Sequence, residues 1–117
     1  MIVKDEAELI EDCLKSVKEL ADEIIVADTG SADGTAEICR RYGATVFSCP
    51  WEDSFSEARN RSIEKASCEW ILLLDADERI FHEDREKFLQ FVRTSRADGA
   101  HFKVYNYLGK EGRTQYT

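Results

Sequence analysis

Apolar positions along the chain fall into short unbroken runs separated by stretches of helical period. Glu23-Ile-Ile-Val-Ala27 and Ala44 to Ser48 read as short strands, and Trp70-Ile-Leu-Leu-Leu74 as a strand covered on both faces. Met1-Ile-Val3 looks like the tail of another. Between them Ile10, Cys13, Leu14, Val17 and Leu20 recur at helical spacing, opposite the polar face Glu11, Asp12, Lys15 and Glu19. Asp5 and Glu8 fit a capping box for that helix, and Ser54 and Glu57 fit another for a helix running through Ala66. On that third helix Phe55, Ala58, Ser62 and Ala66 are expected to face the sheet.

The second helix is expected to be capped by Asp33 or Ser31 and to run to about Tyr42, with Gly43 as its stop. A fourth, from Glu83 to Arg93, turns Phe88, Leu89 and Val92 inward. Ala100 to Leu108 alternates as a half-exposed strand, and Gly109-Lys-Glu-Gly112 reads as a turn into a returning strand. Strands alternating with helices predict an α/β fold. The expected architecture is a three-layer α/β/α sandwich with a mostly parallel sheet, right-handed crossovers and a C-terminal hairpin.

The 117 residues suffice for one small domain. A formal net charge of -8 argues against a general nucleic-acid or membrane-surface role, and no apolar stretch approaches a membrane span. Cys13, Cys39, Cys49 and Cys68 form no Cys-x-x-Cys pair, and His82 and His101 read as surface residues, which argues against zinc. Cys13 and Cys39 sit at apolar helix positions and read as small core residues. Cytoplasm is the expected compartment. The clipped first strand and the hairpin at the end lead us to expect an incomplete domain with open sheet edges, which invite dimerisation.

The chemistry concentrates where strands end. Along an extended Leu73-Leu-Asp-Ala-Asp77, Asp75 and Asp77 project to one side, at the carboxyl edge where open α/β sheets bind ligands. Two carboxylates without a basic partner are costly unless a cation sits between them, and hard oxygen ligands suit Mg²⁺ or Mn²⁺. Asp28 ends its own strand ahead of the loop Thr29-Gly-Ser-Ala-Asp-Gly-Thr35. The bland readings are a turn role for Asp28, helix capping for Asp75 and Asp77, and a surface pairing of Arg59 with Glu57 or Asp53. Trp51 and Trp70 read as core or rim packing rather than as sugar platforms.

Met1-Ile-Val-Lys-Asp-Glu6, Val26-Ala-Asp-Thr-Gly-Ser-Ala-Asp-Gly-Thr35, Phe55-Ser-Glu-Ala-Arg-Asn60 and Leu73-Leu-Asp-Ala-Asp-Glu78 resemble four successive motifs of glycosyltransferase family 2. Each motif alone is weak; the four in order are specific. The resemblance implies the GT-A fold and an inverting, metal-dependent transfer of a sugar from a nucleotide-diphosphate-sugar, most often a UDP-sugar. The acceptor would be a glycan, lipid or protein, in cell-surface polysaccharide or glycoconjugate synthesis. It implies that Val3 and Glu6 line the nucleoside end of the pocket and that Asp28 binds the base or ribose. Arg59 would lie near the donor, Asp75 would face ribose and metal, and Asp77 would hold Mn²⁺ or Mg²⁺. The proton-accepting base of that family falls after the metal motif, beyond this chain, so none is assigned. A phosphatase of the haloacid dehalogenase type using Asp75 and Asp77, a nucleotidyltransferase and a non-catalytic nucleotide-sugar-binding module are the competing readings.

Overall fold

A computed structural model of the chain describes residues 1–108 and 113–116. Its centre is a parallel sheet of three strands, β1 (Ile2–Val3), β2 (Ile25–Asp28) and β3 (Thr45–Ser48), in that spatial order. Ile2 pairs with Ala27, and Ala27 with Phe47; Val3 pairs with Asp28, and Asp28 with Ser48. Side chains alternate across a strand, so this register sorts the apolar residues into two layers. Val3 and Val26 pack with Ile10 and Leu14 of α1 (Ile10–Val17) and with Cys39 of α2 (Thr35–Arg41). Ile2, Ala27 and Phe47 pack on the other face with Cys49 and with Ala58 of α3 (Phe55–Glu64). Two helical layers thus sandwich the sheet, as expected. Cys13 and Cys39 are buried and unbridged. Among the described residues no helix is long and apolar enough to cross a membrane.

The helix starts differ from the capping expectations. α1 begins late, with Leu9 at its N-cap and no side chain capping it. Asp5 instead adopts a left-handed conformation (φ 50°), which short polar side chains tolerate. α2 has Gly34 at its N-cap; Asp33 precedes it and accepts from the Thr35 amide at 3.0 Å. Only half of the Ser54/Glu57 box forms. Ser54 Oγ accepts from the Glu57 amide at 3.2 Å, while the Glu57 carboxylate turns to Arg61 at 2.7 Å. Gly43 ends α2 as expected, with φ 83° and its amide on the Arg40 carbonyl.

The largest departure concerns Trp70 to Leu74. This segment joins no strand ladder and is not covered on both faces. Its even and odd residues part: Leu72 and Leu74 are half-buried, whereas Ile71 and Leu73 are 44% and 52% exposed. Ala76 is its one tight anchor, buried in the cluster of Val3, Ile10 and Leu14. The segment therefore lies on the α1 face near β1. An apolar run becomes an interior strand only when partners supply both a ladder and a second covering layer; here only one layer is present.

Beyond it come a 3-10 turn at His82–Asp84 and α4 (Arg85–Thr94). Phe88, Leu89 and Val92 turn inward but stay half-buried. Phe88 and Phe91 meet Phe102 at 5.2 and 6.3 Å between ring centroids, and Phe91 meets Trp70 at 5.6 Å. The strand expected over 100–108 shortens to β4 (Tyr105–Leu108), and residues 100–105 are all exposed rather than alternating. β4 pairs antiparallel with β5 (Arg113–Tyr116), which gives the expected hairpin. The turn expected at 109–112 lies outside the described residues.

Candidate functional site

The carboxyl ends of the parallel strands carry the residues singled out above. Val3 ends β1 and is buried beneath the surface of the edge. Glu6 follows it, half-buried, and its amide donates to Thr35 Oγ1 at 2.9 Å. Asp28 ends β2 beside Val3, and its Oδ1 accepts from the amides of Gly30 at 3.1 Å and Ser31 at 2.8 Å. One oxygen of Asp28 thus shapes its own loop, as a turn residue does. Gly30 suits that turn because its φ of 115° is closed to most other residues.

A second tier of side chains holds this edge together. Asp5 Oδ1 accepts from the Ala32 amide at 2.7 Å, and Ser31 Oγ accepts from the Asp5 amide at 3.0 Å. Asp33 Oδ2 accepts from the Ala7 amide at 3.2 Å, and its Oδ1 also accepts from the Thr35 hydroxyl. These bonds stitch the loop after β1 to the loop after β2. The reading of Asp33 and Ser31 as helix caps missed them. The density of short polar side chains from Asp28 to Thr35 signals local bonding, but a single sequence does not say which second loop receives it.

Asp75 and Asp77 are both exposed, on a turn closed by the Glu78 amide on the Asp75 carbonyl at 3.0 Å. The Glu78 carboxylate accepts from the Asp75 amide at 2.8 Å, which occupies the third acid of the motif. Two bonds fix the segment from below. The Cys13 thiol donates to the Asp75 carbonyl at 3.5 Å, and the Ile80 amide donates to Ser16 Oγ at 3.2 Å. Burial, reinforced by the negative charge of Glu78, pushes the Cys13 thiol up to about 12, so it remains a protonated donor.

The premise that these acids lack a basic partner does not hold. Arg59 Nη2 stands 3.5 Å from Asp75 Oδ1. Arg59 therefore pairs across the edge and not with Glu57 or Asp53. Both side chains are substantially exposed, at 43% and 59%, so the pair is worth about 0–1 kcal/mol. Arg61 goes elsewhere, to Glu52 at 3.2 Å and Glu57 at 2.7 Å. Among the described residues no group of three or more His, Cys, Asp or Glu side chains gathers to hold a metal. The donor set of Asp75 and Asp77 fits only a hard divalent cation that completes its shell from water and ligand oxygens, the habit of Mg²⁺ and Mn²⁺.

A family model described as Glycosyl transferase family 2 matches residues 1–117, and the chain belongs to that family. A TPR repeat-containing protein of Synechococcus elongatus is 53% identical over 83 residues, 71% of this chain and 21% of that protein. The SPbeta prophage-derived glycosyltransferase SunS of Bacillus subtilis is 39% identical over 95 residues, 80% of this chain and 22% of that protein. An uncharacterized glycosyltransferase of Rickettsia prowazekii is 33% identical over 97 residues, 81% of this chain and 32% of that protein. The chain thus spans between about a fifth and a third of these relatives' lengths. The crystal structure of S. aureus TarS residues 1–349 superposes with a TM-score of 0.68 at 22% identity, covering 79% of this chain and 30% of that one. The fold is the GT-A α/β fold.

Proposed function

We propose that this chain is the donor-binding part of a glycosyltransferase that moves a sugar from a nucleotide-diphosphate-sugar, a UDP-sugar first among them, to an acceptor with inversion. One observation carries the reading. Arg59 of α3 meets Asp75 at the same strand-end edge as Asp28, in a chain matched throughout by the family model. Asp28 accepts hydrogen bonds from the base or ribose, beside Val3 and Glu6. Arg59 faces the donor phosphates. Asp75 and Asp77 would hold Mn²⁺ or Mg²⁺, and the cation would supply positive charge for the departing diphosphate. The acceptor is a glycan, lipid or protein, and cell-surface glycoconjugate synthesis is the matching setting.

The electrostatics favour that cation. Asp28 ends β2, and Asp75, Asp77 and Glu78 share one turn, in a chain of net charge -8, so a diphosphate would be repelled without one. Unbridged thiols support a reducing, cytoplasmic compartment. β3 ends the sheet order, and such an edge supports pairing with a second copy; light scattering that reads only monomer would remove that part. Family membership speaks against the phosphatase and nucleotidyltransferase readings.

Calorimetry with UDP and GDP, with and without Mn²⁺ or Mg²⁺, tests the proposal. Binding that depends on the metal is expected. Equal affinity after chelation would sink the metal role, and no nucleotide binding at all would sink the donor reading.

A further inference from the structure

Phe55 is the first residue of α3 and lies on its sheet-facing stripe. Residues seven apart on a helix point within about 20° of one another, so Phe55 and Ser62 look the same way. Ser62 and Ala58 on that stripe are buried, whereas Phe55 is 72% exposed. It was expected to face the sheet. Its direction along the helix is the expected one, but as the first residue of α3 it stays exposed where Ala58 and Ser62 are covered.

The loop before it holds it in place. Trp51 packs edge-on against Phe55, with ring centroids 4.7 Å apart and planes at 67°. The Trp51 indole N–H donates to Asp53 Oδ1 at 2.9 Å, and Asp53 takes a left-handed conformation at φ 57°. The loop leaves the sheet beside Asp28, because the Cys49 amide donates to the Asp28 carbonyl at 2.8 Å. One turn past Phe55, Arg59 reaches Asp75.

We propose that Phe55, backed by Trp51, is the stacking surface for the nucleobase of the donor. The proposal rests on the glycosyltransferase reading and extends it to residues of α3 and the loop before it. Across the edge, the Asp75/Asp77 turn lies on the β1 side, Asp28 ends the middle strand, and the Trp51–Phe55 pair follows β3. A nucleotide carries matching groups in matching order. Its diphosphate needs the cation and Arg59. Its polar N–H and O–H groups suit a carboxylate such as Asp28. Its base offers flat π faces, which stack on exposed aromatic rings.

The test is calorimetry of the chain with UDP and, separately, with inorganic pyrophosphate, both with Mn²⁺. Phe55→Ala should weaken UDP about tenfold, within the range of base–aromatic stacking. It should leave pyrophosphate unchanged, and that arm also reports that the site is folded. Phe55→Tyr, which keeps the ring, should bind UDP like the parent chain. Leu73→Ala, which removes another exposed apolar residue elsewhere, should change neither. Unaltered UDP affinity in Phe55→Ala overturns the proposal and leaves the ledge to an acceptor. A parallel loss of pyrophosphate overturns it in favour of a role in shaping the phosphate end. If the parent chain binds no nucleotide, the donor reading fails and takes this one with it.

Discussion

Residues 1–66 and 67–108 are built to different standards, although both are rich in apolar side chains. The first part holds a close-packed interior, with Ile10, Leu14 and Val26 fully buried where the hydrogen-bonded sheet meets α1 and α2. The second part buries only Ala76 among its described apolar residues. Its aromatic rings touch in pairs, but Phe81, Phe102 and Tyr105 remain exposed. The difference lies in what each apolar group finds across from it. In the first part a register of three strands aligns residues from separate elements on one face. In the second, the Trp70–Leu74 run has no ladder and one covering layer, and α4 meets the Trp70 and Phe102 rings and, through Arg85, the exposed Glu19. The candidate site straddles the two. Asp28 and Arg59 stand on the firm part, and Asp75 and Asp77 stand on the edge of the looser one.

The sharpest way to break this comparison is to truncate one leucine in each part. Leu14→Ala removes a side chain with no exposure and should destabilise the chain by about 2–5 kcal/mol. Leu73→Ala removes one that is 52% exposed and should cost no more than about 0.5 kcal/mol. Urea unfolding of both variants decides it. Similar losses would mean that the Trp70–Leu74 run is packed as tightly in solution as α1.

The next effect concerns ligand affinity. If Asp28 accepts a hydrogen bond from the nucleoside, Asp28→Ala loses about 1.5–3 kcal/mol of binding, roughly tenfold or more in affinity. The Gly30 and Ser31 amides also lose their acceptor. Asp28→Asn keeps an Oδ1 acceptor for the turn and so separates the two roles. Full nucleotide affinity in Asp28→Asn would return Asp28 to a turn role alone.

How far the sequence could be read follows the same division. Helical period and short apolar runs located α1, β2, α2, β3 and α3 to within a few residues, because in residues 1–66 local pattern and tertiary packing agree. The run from Trp70 to Leu74 misled because an apolar stretch reports a wish for burial, while a strand also needs partners that a single sequence does not name. Asp5 and Asp33 misled for a related reason. Their spacing to Glu8 and to the following helix fits caps, but Asp5 bonds across to another loop, and Asp33 does so with its second oxygen while its first accepts from the Thr35 amide at the start of α2. At the edge, strand alternation pointed to Asp75 and Asp77, whereas Arg59 opposite Asp75 depends on how α3 lies on the sheet. The exposure of Phe55 at the first position of α3 was not legible either, since periodicity along a helix gives direction and not cover.

Amide hydrogen exchange sharpens the contrast without changing a residue. The ladder amides of Ile25–Asp28 and Thr45–Ser48 should exchange slowly, and the amides of 70–75 within the shortest labelling times. Adding UDP with Mn²⁺ should slow exchange at 75–80 more than at 25–28, since the looser part has more order to gain. Slow exchange across 70–75 in the free chain would show that a ladder forms there in solution.

The smallest expected effect tests whether the clasp between the first two loops belongs to the firm part. The Asp33 carboxyl lies below its ordinary range, chiefly because the Thr35 hydroxyl donates to it, with the Thr35 and Ala7 amides adding to that. A carboxylate with a depressed folded pKa stabilises the native state above its unfolded pKa. That contribution is lost as pH falls below the ordinary carboxylate range and through the lower folded value. Asp33→Asn has no such titration. It keeps an acceptor for Thr35 but replaces the Oδ2 that serves Ala7 with a donor. The variant should therefore melt slightly lower than the parent chain at neutral pH, and the gap should close on acidification. Asp33 is solvent-exposed, so the shift in Tm is modest and salt-dependent. Melting curves for both chains from neutral pH downward measure it. Parallel acid limbs would mean that the clasp is as loosely held as the aromatic pairs of the second part, and that the firm region stops at the strand ends.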